Sequence, residues 1–248
     1  MTADQVDHYD RLLAPRYTWM LGGDYAAVVA RQQDQLLRAG VVAGSGPALD
    51  LGAGPGYASV ALAELGYGPV LAVDASPAMV SALAAAIGPP VVPLCAAIAD
   101  LPKLAAEHGP FAVIVCLGDT VPHLPSRSEV DAFLRDAAAA LAPGGRLVLS
   151  LRDLAADPVG TQRSLLVRSD DDALLTCVLD HVDADTVRVT DLLHTREEDG
   201  AWSLASSSYP KLRLSPTAMH ASFAGHGLQP KACTELRSGL WVLSATGR

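Results

Sequence analysis

Short apolar runs alternate with alanine-rich stretches between residues 47 and 154, and this alternation restricts the fold more than any other feature. Each run is continuously hydrophobic, which is typical of parallel strands covered on both faces. We therefore predict an α/β fold with a doubly wound parallel sheet. The predicted strands are Ala48–Leu51, Val70–Val73, Val91–Leu94, Ala112–Leu117 and Arg146–Leu151, with helices over Tyr57–Leu65, Pro77–Ile87 and Ser128–Leu141.

Different patterns flank this region on both sides. Residues 1–46 predict helices over Val6–Leu13 and from Tyr25 to a stop at Gly40. Residues 155–214 contain apolar runs separated by turn signals, which predicts an inserted antiparallel β meander. Residues 215–248 predict a helix over Ser215–Ala224, with Ser215 as N-cap and Gly225 or Gly227 as stop, and strands around Cys233–Leu236 and Trp241–Ala245.

The composition excludes several classes of protein. The 248 residues carry a formal net charge of −9, which argues against a wide phosphate-binding face and therefore against nucleic acid. The polar, acidic N-terminus is not a signal peptide, and no apolar stretch reaches the length of a membrane span. The cysteines have no CxxC spacing, and we expect buried free thiols in a cytoplasmic protein; Cys95 and Cys116 lie in apolar runs. No HExxH or paired His/Cys motif predicts a metal.

A glycine-rich turn follows the first predicted strand, in the sequence Asp50-Leu51-Gly52-Ala53-Gly54-Pro55-Gly56. Glycines let a ligand approach the backbone, and the next helix offers free N–H groups at its start. A dinucleotide fingerprint would need glycine at position 57, where this chain has Tyr57. Asp50 would also repel a pyrophosphate but attract an ammonium group. The turn therefore disfavours an NAD-dependent oxidoreductase and predicts a nucleoside that bears an amino acid.

Two further carboxylates come near the ends of the next strands. Asp74 ends the second strand, 20 residues after Gly54, where a carboxylate can accept both hydroxyls of a ribose. Asp100 follows the third strand and is placed to accept from an exocyclic amine such as that of adenine. Taken singly, Asp74 could be a helix cap and Asp100 a turn residue.

In combination, the glycine turn and these three carboxylates resemble motifs I, II and III of the class I S-adenosylmethionine-dependent methyltransferases. The resemblance implies a Rossmann-like sheet of seven strands that ends in an antiparallel hairpin. It also implies a helical lid over residues 1–46, a cofactor-binding core over 47–154, a substrate wall or lid over 155–214 and closing elements over 215–248. The cofactor contacts that it implies are Tyr17, Asp50, Gly52, Ala53, Gly54, Gly56, Asp74, Ala75, Met79, Asp100, Leu101 and Leu117.

The segment after the fourth strand, Leu117-Gly118-Asp119-Thr120-Val121-Pro122-His123-Leu124, is similar to one in the glycine and sarcosine N-methyltransferases. That family has Asn and Ser where this chain has Asp119 and Thr120, whereas His123 and Leu124 match. The resemblance implies that Asp119 and His123 orient or deprotonate the acceptor and that Arg152 binds an anionic part of it. The alternatives are a turn cap for Asp119, a loop-pinning role for His123 and a salt bridge from Arg152 to Asp153 or Asp119.

Aromatic and basic residues outside the core are further candidates. Tyr9 and Tyr17 resemble an aromatic lid that covers the sulfonium, with packing of the first helix as the alternative. Tyr209, Lys211 and Arg213 alternate, so they share one face of a strand and either line the acceptor pocket or face water; water is favoured for Lys211. His194 and Arg196 carry the same ambiguity. Tyr9, Tyr209 and Arg213 are the predicted substrate contacts.

We therefore predict a methyltransferase that moves a methyl group from S-adenosylmethionine to an amine or hydroxyl of a small molecule, with nitrogen slightly favoured. The product would be S-adenosylhomocysteine. We expect no nucleic acid, no membrane and no metal, and we allow a homodimer. The rival interpretations are the same fold using the cofactor without methyl transfer, and a cofactor-binding module without turnover.

Overall fold

Seven strands form one sheet, ordered β10-β11-β5-β4-β1-β2-β3, in a computed structural model that describes residues 3–157, 159–236 and 238–248. Strands β1 to β5 run parallel, and β11 runs antiparallel between β5 and β10. This arrangement confirms the predicted doubly wound sheet with a closing antiparallel hairpin. The strands are β1 Ala48–Leu51, β2 Val70–Asp74, β3 Val91–Cys95, β4 Phe111–Cys116, β5 Leu141–Arg152, β10 Gln229–Glu235 and β11 Leu240–Thr246.

Helices cover both faces of this sheet, because successive residues of each strand point to opposite sides. Leu49 and Leu51 pack into one apolar layer, whereas Ala48 packs into the other. Serine side chains cap three of the helices by accepting a hydrogen bond from the N–H three residues on, at Ser76, Ser126 and Ser215. The helices are α1 Ala3–His8, α2 Tyr17–Met20, α3 Tyr25–Arg38, α4 Tyr57–Glu64, α5 Pro77–Ala86, α6 Leu101–His108, α7 Arg127–Ala140 and α8 Pro216–Ser222.

A second sheet is inserted between β5 and α8 and has the order β6-β7-β8-β9, antiparallel throughout. Its strands are β6 Ser164–Ser169, β7 Ala173–His181, β8 Thr186–Arg196 and β9 Trp202–Leu212. The predicted meander is therefore confirmed. The N-terminal segment packs against this insertion, since α1 and the π-helical turn Tyr9–Leu13 both contact β9.

Several sequence expectations need correction. Helix α6 was not predicted: its eight residues begin directly after the 3-10 turn Ile98–Asp100, and only Leu101 and Leu104 of its side chains are buried. Gly227, with φ 85°, ends the turn after α8. All four cysteines are free, but Cys95 is exposed because β3 is an edge strand. Residues 1 and 2 of the expected lid, 158 of the insertion and 237 of the closing segment lie outside the described residues.

None of the helices in the described part of the chain combines the length and apolar character needed to cross a bilayer.

Candidate active site

The glycine turn joins β1 to α4 and forms a surface without side chains at the tip of the sheet. Gly52 and Gly56 have positive φ angles of 75° and 86°. A Cβ atom on Gly52 would lie 2.5 Å from Thr120 Cγ2, and one on Gly56 would lie 2.8 Å from Leu83 Cδ1. Both positions therefore require glycine, and the absence of side chains lets a ligand approach the backbone closely.

Asp50 lies directly below this turn and is 1% exposed. Its Oδ2 accepts a 2.6 Å hydrogen bond from Ser59 Oγ. Burial raises the pKa of the Asp50 carboxyl to about 7, with a smaller contribution from the nearby charge of Asp74. A cation beside Asp50 would offset the cost of burying its charge and would favour the charged form of the carboxyl.

Asp74 ends β2 and holds the opposite side of the turn. Its Oδ2 accepts from Gly54 N at 2.8 Å and its Oδ1 from Ser76 N at 2.9 Å. Burial raises its pKa, although these backbone hydrogen bonds act in the other direction. A carboxylate has about four lone-pair positions, so two hydroxyl donors can still be accommodated.

The two predicted adenine contacts Asp100 and Leu101 lie away from the cavities described here. The third strand ends at Cys95, so Asp100 sits five residues beyond the strand tip rather than at it. Asp100 is exposed and accepts a hydrogen bond from Ala97 N, and Leu101 is fully buried in the core. Met79, in contrast, lines a small cavity beside the turn together with Gly52, Gly54, Asp74, Tyr9 and Tyr17. Ala75 is half-buried next to Asp74.

Two tyrosines of the N-terminal segment cover the turn. Tyr17 Cε1 would be 4.0 Å from a Cβ on Gly54, and Tyr17 Oη would be 4.0 Å from one on Gly118. The ring centroids of Tyr9 and Tyr17 are 6.4 Å apart. Both residues line the small cavity and also a large cavity that includes residues of the glycine turn and of the inserted sheet. Burial raises the pKa of both phenols, so they stay neutral.

The loop after β4 carries a buried ion pair. Asp119 has a positive φ of 67°, and its Oδ1 accepts from Arg152 N at 3.0 Å. Its Oδ2 lies 2.6 Å from Lys211 Nζ of the insertion. The expectation that Lys211 faces water is therefore wrong: the residue is 8% exposed because its alternation with Tyr209 turns it into the cavity.

His123 lies beneath this loop and stacks on Tyr209, with ring centroids 5.3 Å apart and 17° between the planes. Its Nε2 is 3.2 Å from Tyr9 Oη. Within the described residues, His123 Nδ1 has no hydrogen-bond partner. Burial and the charge of Lys211 lower the His123 pKa well below its usual value, so the imidazole is neutral.

A second buried carboxylate, Asp191 of β8, was not predicted. Asp191 lines the large cavity and is 5% exposed, and its Oδ2 is 3.0 Å from Nε2 of His8, which is 1% exposed. The sequence pattern that could have identified Asp191 is its alternation with the apolar residues Val187 and Val189, which places its carboxylate on the same face of the strand as their side chains.

The two predicted arginines occupy different places. The exposed Arg152 lines the large cavity, and its Nη1 donates to Ser238 O at 3.0 Å rather than to either predicted carboxylate. Arg213 lies outside that cavity and donates to Leu154 O, Ala155 O and Asp183 O. Its guanidinium therefore ties the insertion to the chain after β5. His194 is half-buried, and Arg196 lies over the Trp202 ring at 5.2 Å.

The large cavity has a volume of about 610 Å³ and runs without interruption from the glycine turn to the insertion. Asp50, Gly52, Ala53 and Tyr17 line one end, and Leu117, Gly118 and Asp119 lie at the middle. No group of three or more His, Cys, Asp or Glu side chains is arranged to hold a metal ion within residues 3–157, 159–236 and 238–248.

This geometry fits S-adenosylmethionine. The buried carboxylate of Asp50 suits the ammonium group of the methionine part, and the glycine turn leaves room for that part beside the backbone. Asp74 at the tip of β2 suits the hydroxyls of the ribose. Residues 48–145 match the family model described as a methyltransferase domain. A comparison with curated proteins gave no match.

Solved structures, methyltransferases among them, share the fold over almost the whole chain. DesVI of Streptomyces venezuelae has a TM-score of 0.72, with 17% identity and all of both chains covered. CalS10, an amino pentose methyltransferase from Micromonospora echinaspora solved with its cofactor bound, has a TM-score of 0.69 at 20% identity, covering 94% of this chain and 96% of CalS10. The sugar N-methyltransferase KedS8 from Streptoalloteichus has a TM-score of 0.66 at 21% identity, covering 92% and 89%.

The domain match over residues 48–145, together with the sheet order, the glycine turn and the two carboxylates around it, supports an S-adenosylmethionine-dependent methyltransferase with S-adenosylmethionine as its cofactor.

Proposed function

We propose that the protein methylates an amine or a hydroxyl of a small molecule, with the amine favoured. The observation that carries this proposal is the continuity of the large cavity, which joins the cofactor end at Asp50 to an acceptor end bounded by Asp119 and Asp191. A volume of about 610 Å³ accommodates the methionine part of the cofactor and a small acceptor together.

Two buried carboxylates at the acceptor end favour a basic nitrogen. Asp119 and Asp191 are 8% and 5% exposed, so a cationic amine between them would be attracted in a medium of low dielectric. Lys211 pairs with Asp119, and Asp191 has the imidazole of His8 3.0 Å from one of its oxygens. The amino pentose methyltransferase CalS10 and the sugar N-methyltransferase KedS8, which share this fold, agree with an amine acceptor.

Alignment of the acceptor is the main contribution of the protein. When bound, S-adenosylmethionine supplies a methyl group on a positively charged sulfur, ready for in-line displacement. Asp119 holds the acceptor near Gly118, and the neutral His123 fixes the phenol of Tyr9 over the site through their hydrogen bond. The tyrosine lid excludes water. Arg152 remains available at the rim for an anionic group of the acceptor.

Asp119 is a poor base in this geometry, because Arg152 N and Lys211 Nζ already donate to its two oxygens. We assign Asp119 to orientation, so that the amine enters as the free base or loses its proton to solvent. Of the predicted adenine contacts, Ala75 and Met79 remain in the proposal, whereas Asp100 and Leu101 lie away from the cavities that hold the cofactor end.

The rival interpretations receive no support. A cofactor-binding module without turnover would have an occluded acceptor pocket, whereas this cavity continues beyond Asp119. The proposal also includes a cytoplasmic location, in keeping with the four free thiols. It includes no nucleic-acid partner, and it allows a homodimer. Light scattering on the full chain would measure the oligomeric state.

The direct test is a screen of amines and their hydroxyl counterparts, monitored by release of S-adenosylhomocysteine. We expect turnover with amines, and Asp119→Asn should lower kcat while the affinity for S-adenosylmethionine changes less than threefold. Release with hydroxyl compounds alone would reverse the preference for nitrogen. Cofactor binding without release in any arm would overturn methyl transfer to small acceptors.

A further inference from the structure

The inserted sheet forms one wall of the large cavity, and Asp191 of β8 lies on this wall opposite Cys177 of β7. Residues Leu175, Cys177 and Leu179 alternate along β7, so their side chains share its inner face. Leu179 pairs with Val189 of β8, which pairs with Tyr209 of β9, and this row crosses the sheet from one strand to the next. Leu154 and Leu240 of the main fold close the opposite side.

This part of the cavity is apolar. The residues of β6 and β7 that line it are all hydrophobic, and both strands are fully described: Leu165, Leu166, Val167, Leu175, Cys177 and Leu179. On β6, β7 and β8, Asp191 is the charged residue of the lining, and the other charged residues lie at the cofactor end, in the Asp119–Lys211 pair and at the exposed rim where Arg152 sits. This wall is therefore an apolar surface around one carboxylate.

Strand β6 adds a second observation. Leu165, Leu166 and Val167 are 37%, 64% and 40% exposed, on the open side of the same cavity. Three consecutive large apolar residues exposed beside a cavity are typical of a ligand-binding surface. An apolar ligand in the cavity would cover them.

We infer that the acceptor carries an apolar body, aliphatic or aromatic, which packs on β6, β7 and β8 while its amine lies between Asp119 and Asp191. The inference rests on the proposed function and narrows its substrate class. An acceptor of the size and charge of glycine would leave this wall in contact with water and would bring a carboxylate towards Asp191. The apolar wall therefore selects against such acceptors.

The first test measures kcat/KM over a series of primary alkylamines from methylamine to octylamine, with glycine as the comparison. Each methylene buried on the wall should raise kcat/KM by about fourfold until the wall is covered. Glycine should be the poorest of the set. A flat or falling series, or glycine as the best acceptor, would overturn the inference.

The matching alkanols separate this inference from the proposed function. A rise with chain length among alkanols but no turnover of amines would retain the apolar wall and overturn the preference for nitrogen. Release from methylamine and octylamine at equal rates would retain methyl transfer and overturn the wall.

The second test measures binding without turnover, with the full chain loaded with S-adenosylhomocysteine and the fluorescent apolar amine N-phenyl-1-naphthylamine as probe. Leu179→Asn keeps the size of the side chain but removes apolar surface from the wall, and it should weaken probe binding about tenfold. Val178→Asn is the matched control, because Val178 is the neighbouring residue on the opposite face of β7.

The control should bind the probe within twofold of the parent protein. Both variants should keep their affinity for S-adenosylhomocysteine, which reports an intact fold. Leu165→Asn, at a side chain already 37% exposed in a residue that pairs with Cys177, provides a second wall variant if Leu179→Asn does not fold, and it should also weaken probe binding severalfold. Unchanged probe binding in a folded wall variant would overturn the inference.

Discussion

Lys211 Nζ lies 2.6 Å from Asp119 Oδ2, and both residues are 8% exposed, so the inserted sheet and the core of the fold meet in a buried ion pair. Asp119 follows β4, and Lys211 is near the end of β9, 92 residues later in the chain. This contact fixes the position of the insertion relative to the site of methyl transfer.

Removal of one partner of this pair should destabilise the protein. Lys211→Met leaves Asp119 buried without a countercharge, and the free energy of unfolding should fall by about 3 kcal/mol. Denaturant unfolding followed by circular dichroism measures this change. The double variant Asp119→Asn/Lys211→Met removes both charges and should be more stable than Lys211→Met alone.

A strictly additive double-mutant cycle, with no coupling between positions 119 and 211, would contradict the buried ion pair. Lys231→Met is the control for removal of a lysine charge outside this contact, and it should change the stability by less than about 0.5 kcal/mol.

Asp191 should act on the acceptor and not on the cofactor. Its carboxylate lines the acceptor end of the cavity, and Asp191→Asn keeps its shape while removing the charge. We expect kcat/KM for an amine to fall by tenfold to a hundredfold, as is usual on loss of a charged hydrogen-bond partner. The calorimetric affinity for S-adenosylmethionine should stay within threefold.

Asp180→Asn supplies the control for that prediction, because Asp180 lies on β7 and pairs with Arg163 away from the large cavity. Equal activity of Asp191→Asn and the parent protein would remove Asp191 from the acceptor site.

Cofactor affinity should depend on pH through Asp50. Burial raises the pKa of this carboxyl to about 7, so below pH 7 the free protein must release a proton before Asp50 can pair with the ammonium. Affinity should therefore increase by up to tenfold per pH unit between pH 5.5 and 7 and level off above that. Isothermal titration calorimetry in matched buffers measures this slope.

The same group has the opposite effect on the stability of the cofactor-free protein. Its pKa is raised in the folded state, so the folded chain binds more protons than the unfolded chain between about pH 4 and 7. The Asp50 contribution to the free energy of unfolding therefore falls as pH rises through this window. Asp50→Asn should show a smaller decrease than the parent protein, and an identical pH profile for the two would contradict the raised pKa.

The sequence predicted the parallel sheet well because its strands are buried on both faces. Runs such as Ala48–Leu51 are buried at every position, are apolar except for Asp50 and end at a glycine turn. Helix α6 was missed because it is short, contains Pro102 in its first turn and exposes most of its length, so its apolar pattern is weak.

The site was only half predictable for a different reason. Asp50 and the glycines lie within seven consecutive residues, and Asp74 ends the next strand of the parallel sheet, so the sequence shows their spacing directly. Asp191, His8 and Lys211 meet through contacts between distant segments, and the inward face of each inserted strand depends on how the sheet docks against the core. Alternation can show which residues share a face, but it does not show which face is buried.

Calorimetric titration of S-adenosylmethionine into Asp74→Ala measures whether the glycine turn and its carboxylates hold the cofactor. Asp74→Ala and Asp50→Ala should lose measurable binding, because each removes a carboxylate beside the glycine turn at the tip of the sheet, whereas Asp119→Ala should retain binding and lose turnover. Glu107→Ala, an exposed change on α6, serves as the control and should bind like the parent protein. Unchanged affinity in a folded Asp74→Ala variant would contradict the assignment of the cofactor to this turn.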